Sequence, residues 1–114
     1  MIKNIITFIF LLTPYLVLAD AYVAGEKTTI TRVDSYNNGS AEGHIRILVS
    51  KTVAGCEAGY FLEGTYKGID RTLSIALSAF HSNASVVIGG RSGVSWSGSG
   101  NTSYCRIHAI GVVN

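Results

Sequence analysis

The chain has 114 residues, nine Lys+Arg against seven Asp+Glu and a formal net charge of +2, with 47% hydrophobic residues. Its basic residues, Lys27, Arg32, Arg46, Lys51, Lys67, Arg71, Arg91 and Arg106, are spread rather than clustered, so the coherent basic face that a nucleic-acid binder needs is missing, and so is a basic membrane-surface helix. The length suffices for one domain with a modest core.

The first segment sets the compartment. One positive charge at Lys3 precedes an apolar, uncharged run over residues 5–18, and small residues follow at Ala19 and Ala21. This is the layout of a secretory signal peptide. A cut after Ala19 and a cut after Ala21 both satisfy the small-residue rule. The run is about 14 residues, short of the roughly 20 that cross a bilayer, and Pro14 interrupts it. The expectation is therefore a leader over residues 1–19 and a single domain over 20–114 with no membrane span once the leader is removed. Loss of Lys3 leaves eight basic against seven acidic side chains.

In a secreted or periplasmic setting the two cysteines, Cys56 and Cys105, are expected to form one disulfide. His44, His81 and His108 show no metal-ligand spacing with them or with each other, so neither metal nor cofactor is expected.

Residues 20–27 read as a leading arm. Residues 28–36 are rich in β-branched side chains and read as a strand. Asn37-Asn38-Gly39-Ser40 is a turn signal, because Asn and Gly tolerate positive φ. Residues 44–49 form a second strand, with Ile45, Ile47 and Val49 on one face and His44, Arg46 and Leu48 on the other. A third strand spans 59–65, with Tyr60 and Leu62 opposed to Phe61 and Glu63. From 69 to 82 the period changes: Ile69, Leu73, Ala76, Leu77 and Phe80 recur every three or four residues, which predicts a helix capped by Asp70 or Gly68 at its start and by Ser82-Asn83 at its end. Residues 85–90 return to strand character, 89–103 are rich in Gly and Ser, and 104–113 read as a last strand.

The predicted order is three strands, one helix, two strands: mainly β with one helix. A five-stranded Greek-key barrel of the oligonucleotide/oligosaccharide-binding (OB) type has this β-β-β-α-β-β order. The stripe Leu73, Ala76, Leu77 and Phe80 would plug one end, and the disulfide would pin the start of the third strand to the last. A β-sandwich is the competing fold and needs more strands.

The leader, the strand–helix order, the cysteine pair and the run 70–79, Asp-Arg-Thr-Leu-Ser-Ile-Ala-Leu-Ser-Ala, together resemble the secreted B subunits of pentameric AB toxins, notably the subtilase-cytotoxin and pertussis-like group. They resemble equally a set of small secreted proteins of proteobacteria with a similar cysteine and helix layout. The first resemblance implies an OB barrel, assembly into rings and binding of cell-surface glycans. It carries over no glycan-contact motif and implies no toxin A chain.

Within the Gly/Ser-rich stretch stands the only tryptophan, Trp96. Aromatic faces stack on sugars, and neighbouring Ser and Asn donate hydrogen bonds, so Trp96 with Ser95, Ser97 and Asn101 is the candidate ligand site. The opposing reading folds the indole back over the barrel mouth or the disulfide, and burial is the commoner fate of a lone tryptophan. Tyr60, Phe61 and Tyr66 make a second aromatic group, read first as core or rim packing.

Catalytic signatures are weak. Gly93-Val94-Ser95-Trp96-Ser97 lacks the final glycine of a nucleophile elbow, and Glu57 and Glu63 carry no pocket context. Asn38, Asn83 and Asn101 stand in glycosylation sequons. The expectation is a non-catalytic binding protein, glycan-binding and homo-oligomeric. The alternative is an envelope structural or protein-interaction module without sugar binding.

Overall fold

The computed structural model describes residues 20–100 and 103–114. The expected leader over residues 1–19 and the candidate ligand residue Asn101 lie outside the described residues. The protein is mainly β, with strands β1 (Ala21–Val23), β2 (Thr28–Ser35), β3 (Ile45–Val49), β4 (Gly59–Leu62), β5 (Ser85–Ser92) and β6 (Tyr104–Val113) and helix α1 (Ile69–Ser82) between β4 and β5. A short 3-10 turn, Gly39–Ala41, joins β2 to β3 where the Asn-Asn-Gly-Ser signal stands.

Strand order in the sheet is β1-β5-β2-β3-β4-β6, with a further pairing of β5 to β6. The ladders β2–β3 and β3–β4 are antiparallel, placing Asp34 opposite Arg46 and Ile47 opposite Tyr60. β4 and β6 run parallel, with Tyr60 opposite Cys105. β6 then pairs antiparallel with β5, and β5 pairs antiparallel with β2 through Thr28 and Val86. Parallel neighbours need a long crossover, and the segment from β4 through α1 and β5 supplies it.

The leading arm contains more order than its sequence suggests. Residues 21–23 form β1, with Ala21 opposite Ser92. The third strand is shorter than expected and stops at Leu62, because residues 63–66 turn, with the Tyr66 amide donating to the Glu63 carbonyl at 3.1 Å.

Alternation along β3 and β4 divides the apolar residues between two clusters. On one side Ile45, Ile47, Tyr60 and Leu62 join Ile30, Val86, Ile88 and Ile107 in the larger core, with the disulfide and the helix. On the other side Phe61 joins Ala41, Trp96 and Tyr104, flanked by Tyr36, Leu48, Ala58 and Val94. Cys56 and Cys105 are disulfide-bonded and fully buried. The bond lies against β5 at Gly90, where a Cβ would come within 2.8 Å of the Cys105 Cβ and 3.1 Å of the Tyr60 ring.

The helix begins at Gly68, carries Asp70 in its first turn, where the carboxylate meets the positive end of the helix, and ends at Asn83 in the left-handed conformation. Its packing line differs from the expected stripe. Ala76 and Ala79 are the buried residues, with Ile69 and Leu73 partly buried beside them, whereas Leu77 and Phe80 are 36% and 37% exposed. Two alanines three residues apart let the helix backbone approach β2 and β6 closely. The contact line then runs through them and leaves Leu77 on the flank. Among the described residues no helix is long and apolar enough to cross a membrane.

Candidate functional site

The loop after β5 does not present its tryptophan. Trp96 is fully buried, with 0% exposure. Its indole stacks on Phe61 at 5.2 Å between centroids and 11° between planes, and it meets Tyr104 edge-on at 5.0 Å and Tyr36 edge-on at 5.4 Å. The indole Nε1–H donates to His44 Nδ1 at 2.9 Å. Of the two sequence readings the structure therefore takes the one that folds the indole back, and the candidate contact at Trp96 is corrected: small neighbours let the chain fold down onto the sheet rather than leave the ring open. Gly98 is part of the reason, because a Cβ there would run into the indole itself.

Ser95 is exposed at the loop surface. Ser97 Oγ donates to the Ser40 carbonyl at 3.0 Å, and Ser40 Oγ returns a bond to the Ser97 carbonyl at 3.3 Å. The loop is thus tied to the 3-10 turn between β2 and β3. Tyr36 and Tyr104, which carry no pattern in the sequence, turn out to wall the same aromatic cluster.

Beside that cluster Arg46 Nε donates to Asp34 Oδ2 at 2.8 Å and its Nη1 to the Tyr104 hydroxyl at 3.2 Å, while the guanidinium lies 5.9 Å from the Tyr36 ring centroid. Arg32 Nε donates to the other carboxylate oxygen of Asp34 at 3.0 Å. Burial pushes the Asp34 carboxyl up, but the hydrogen bonds from Arg46 and Arg32 outweigh it and hold the group below its ordinary value.

An open cleft lies elsewhere. A cleft of about 330 Å³ is lined by Leu62, Tyr66, Gly68, Thr72, Arg106, Ile107 and His108. Leu62 and Ile107 bring apolar surface from β4 and β6, Gly68 and Thr72 come from the start of α1, and Tyr66 comes from the turn between. Arg106 and His108 both come from β6, where the pairing to β5 passes from Gly90–Ile107 to Gly89–Ala109 and leaves His108 as the extra residue of a bulge.

The Arg106 guanidinium lies 5.7 Å from the Tyr66 ring centroid and donates to Asp20 Oδ2 at 3.3 Å. Arg91 Nε stands 4.0 Å from the other oxygen of Asp20. Burial raises the Tyr66 phenol above its ordinary range; a hydrogen bond with Arg106 opposes this and the Glu63 carboxylate adds to it. The phenol therefore stays protonated at neutral pH and can donate. His108 meets Tyr22 edge-on at 5.4 Å, and Tyr22, 54% exposed, has Arg91 at 5.9 Å from its ring centroid.

The second aromatic group of the sequence therefore separates three ways. Tyr60 is core, Phe61 is the floor under Trp96, and Tyr66 lines the cleft. Arg106, His108 and Thr72 escape sequence reasoning as site residues. No sequence signal marks Arg106 and His108, because the register shift at His108 breaks the alternation of the last strand. Chemically the cleft offers an aromatic side chain, an apolar floor, a guanidinium, an imidazole and two hydroxyls. That set suits recognition of a small polar ligand with some apolar surface. No family model, curated protein or solved structure matches the chain.

Proposed function

We propose that this protein is a secreted, non-catalytic binding module whose cleft between β4, β6 and the start of α1 takes a glycan. The observation that carries the reading is the open cleft itself, with Tyr66 offering its ring and phenol and with Arg106, His108 and Thr72 offering hydrogen-bonding groups. Sugars have apolar faces and hydroxyl edges, and this lining offers a partner to each. Trp96 is not a contact in this reading, because its ring and its N–H are both occupied.

The scaffold in this reading is the five-stranded OB-type barrel. The pairings β2–β3, β3–β4, β4–β6, β6–β5 and β5–β2 form a closed circuit with α1 between its third and fourth strands, which supports it. β1 is an addition to that circuit. Assembly with further copies belongs to the same reading. Among the described residues β6 pairs with β4 only through Tyr104–Arg106, so that edge has no strand partner from Ile107 onward, and multivalency strengthens weak sugar sites.

The leader reading gains a preference between its two cuts. Cleavage after Ala19 keeps Asp20, which engages Arg106 and Arg91, and leaves β1 whole; cleavage after Ala21 removes that carboxylate from the edge of the cleft. We therefore place the cut after Ala19. The disulfide accords with an oxidising compartment.

Screening the mature, oxidised protein on a glycan array, beside an Arg106→Ala, His108→Ala double variant, tests the function. Binding by the parent and its loss in a folded double variant support the assignment. Blank arrays from a protein that light scattering shows to be a monomer overturn it. A protein-interaction role is the second reading, favoured by the exposed Ile75, Leu77 and Phe80 on α1. Blank arrays together with recovery of a stable partner whose binding is lost on Phe80→Ser select it.

A further inference from the structure

The contact between Trp96 and His44 has a property that the cleft reading does not use. His44 accepts the indole N–H through Nδ1, at 2.9 Å. An imidazole nitrogen can accept only while it carries a lone pair, and protonation of His44 puts a hydrogen on that nitrogen. Two N–H groups then face each other, and a fully buried indole donor is left without its partner. A buried polar group deprived of its hydrogen bond is a strong destabilising element. Histidine is also the side chain whose charge ordinarily changes between pH 5 and 8.

We infer that His44 is an acid-sensitive latch: its neutral ring holds Trp96 and the loop 93–100 down on the aromatic face of the sheet, and its protonation releases them. The inference stands apart from the glycan reading and holds whatever the cleft binds.

The surroundings allow the release. The loop itself carries no titratable side chain over residues 93–100. It is held otherwise by ring contacts with Phe61, Tyr36 and Tyr104 and by the reciprocal serine bonds to Ser40. The titratable and charged groups that the packed elements bring to this side are Arg32 and Asp34 on β2, Tyr36 just after it, Glu42 beside the 3-10 turn, Arg46 on β3, and Tyr104 and Arg106 on β6. Asp34 is bound by Arg46 and Arg32, Arg46 also by Tyr104, and Arg106 by Asp20, so these charges are engaged with partners other than His44. β4 contributes Phe61, which does not ionise. The two rings themselves lie 6.5 Å apart between centroids, beyond the roughly 6 Å over which an imidazolium gains from an indole face.

Release would bare Phe61 and the parts of Tyr36 and Tyr104 that the indole covers, beside Arg46, an aromatic surface that the loop otherwise covers. The disulfide and the larger core lie on the other side of β3 and β4 and hold no histidine. The sheet therefore persists while the loop leaves.

Trp96 is the only tryptophan, so its emission reports the latch alone. The experiment is a fluorescence titration of the mature, oxidised protein from pH 7.5 to pH 5, with acrylamide quenching and far-ultraviolet circular dichroism at each point. The expected result is a reversible red shift and a rise in quenching with unchanged dichroism. In His44→Asn, whose amide oxygen can accept at every pH, both should be flat. Unchanged emission in the parent overturns the inference, as does a red shift that persists in His44→Asn or one that accompanies loss of the sheet signal. Should the variant not fold, proton NMR of the parent gives the same decision. The indole N–H resonance must move, and exchange faster with solvent, at the pH where the His44 ring protons titrate; movement at any other pH overturns the latch.

Discussion

Two aromatic regions share β4 and β6, and they treat their polar groups in opposite ways. Around Trp96 the rings of Phe61, Tyr36 and Tyr104 enclose the indole, its single donor is bonded to His44, and no part of Trp96 is exposed. In the cleft Tyr66 lies beside Arg106 and His108 around an open volume of about 330 Å³. Each region has a histidine, at least one tyrosine and hydrogen-bonding side chains, so residue type alone does not distinguish them. Enclosure does. A side chain whose ring faces and donor are already engaged contributes to stability; one left beside open space can contribute to recognition.

The sharpest way to break this comparison is to truncate each region and ask what is lost. Trp96→Ala removes a fully enclosed indole and should cost about 3–5 kcal/mol of folding stability, read as a lower midpoint in urea. Small losses there would mean that the cluster is loosely packed and that the two regions are not different in kind. The disulfide comes next. It links residues 49 apart in sequence, and Cys56→Ser with Cys105→Ser should cost about 3–4 kcal/mol through the freed unfolded chain. An unchanged midpoint under oxidising conditions would show that the bond contributes nothing to stability in solution.

The contrast also explains how much the sequence discloses. Strand periods, the Asn-Gly turn and the helical spacing from Ile69 are local, so six of the seven strands and helices among the described residues can be located from them. β1 cannot, because Ala21–Val23 is a strand only by virtue of Ser92, Arg91 and Gly90 alongside it. The helix face is misjudged for a related reason. Leu77 and Phe80 fit the apolar stripe, but the approach to β2 and β6 is closest through Ala76 and Ala79, and only tertiary packing decides that. The Trp96 loop offers both readings in sequence, since small neighbours permit a ring to be exposed or to fold down. The cleft is harder still. It joins Leu62, Tyr66, Thr72 and Arg106, from four separate segments, and no short motif unites them.

A smaller effect is expected at the border of the aromatic cluster. Arg46 is bound to Asp34 and to Tyr104, with both members of the ion pair about one-fifth exposed (21% and 23%). Arg46→Met should cost about 1–3 kcal/mol near neutral pH, the scale of hydrogen bonds to charged groups. The pH dependence has a definite sign. The Asp34 carboxyl is held below its ordinary value in the folded protein, so its contribution is present above the unfolded carboxylate value and fades as pH falls through the folded one. The parent should therefore lose stability below about pH 4, and Arg46→Met should lose less of it over the same interval. Parallel acid profiles for the two proteins would remove the pair as a determinant.

The smallest losses of stability are expected at the cleft. Tyr66→Phe keeps the ring beside Arg106 and removes only a phenol that burial and Glu63 keep protonated. Thr72→Val removes a hydroxyl at the rim of the cleft while keeping the side-chain shape. Each change lies at a partly exposed site, so the midpoint should move by no more than about 0.5 kcal/mol. If the cleft recognises a ligand through hydrogen bonds, loss of one donor should weaken binding by about 0.5–1.5 kcal/mol, or roughly 2–12-fold, measured against whichever glycan the parent retains. The opposite pattern, stability lost and affinity kept, would place Tyr66 with Trp96 among the residues that hold the protein together. The cleft would then be a packing feature, and the search for the recognition surface would move to the exposed apolar face of α1.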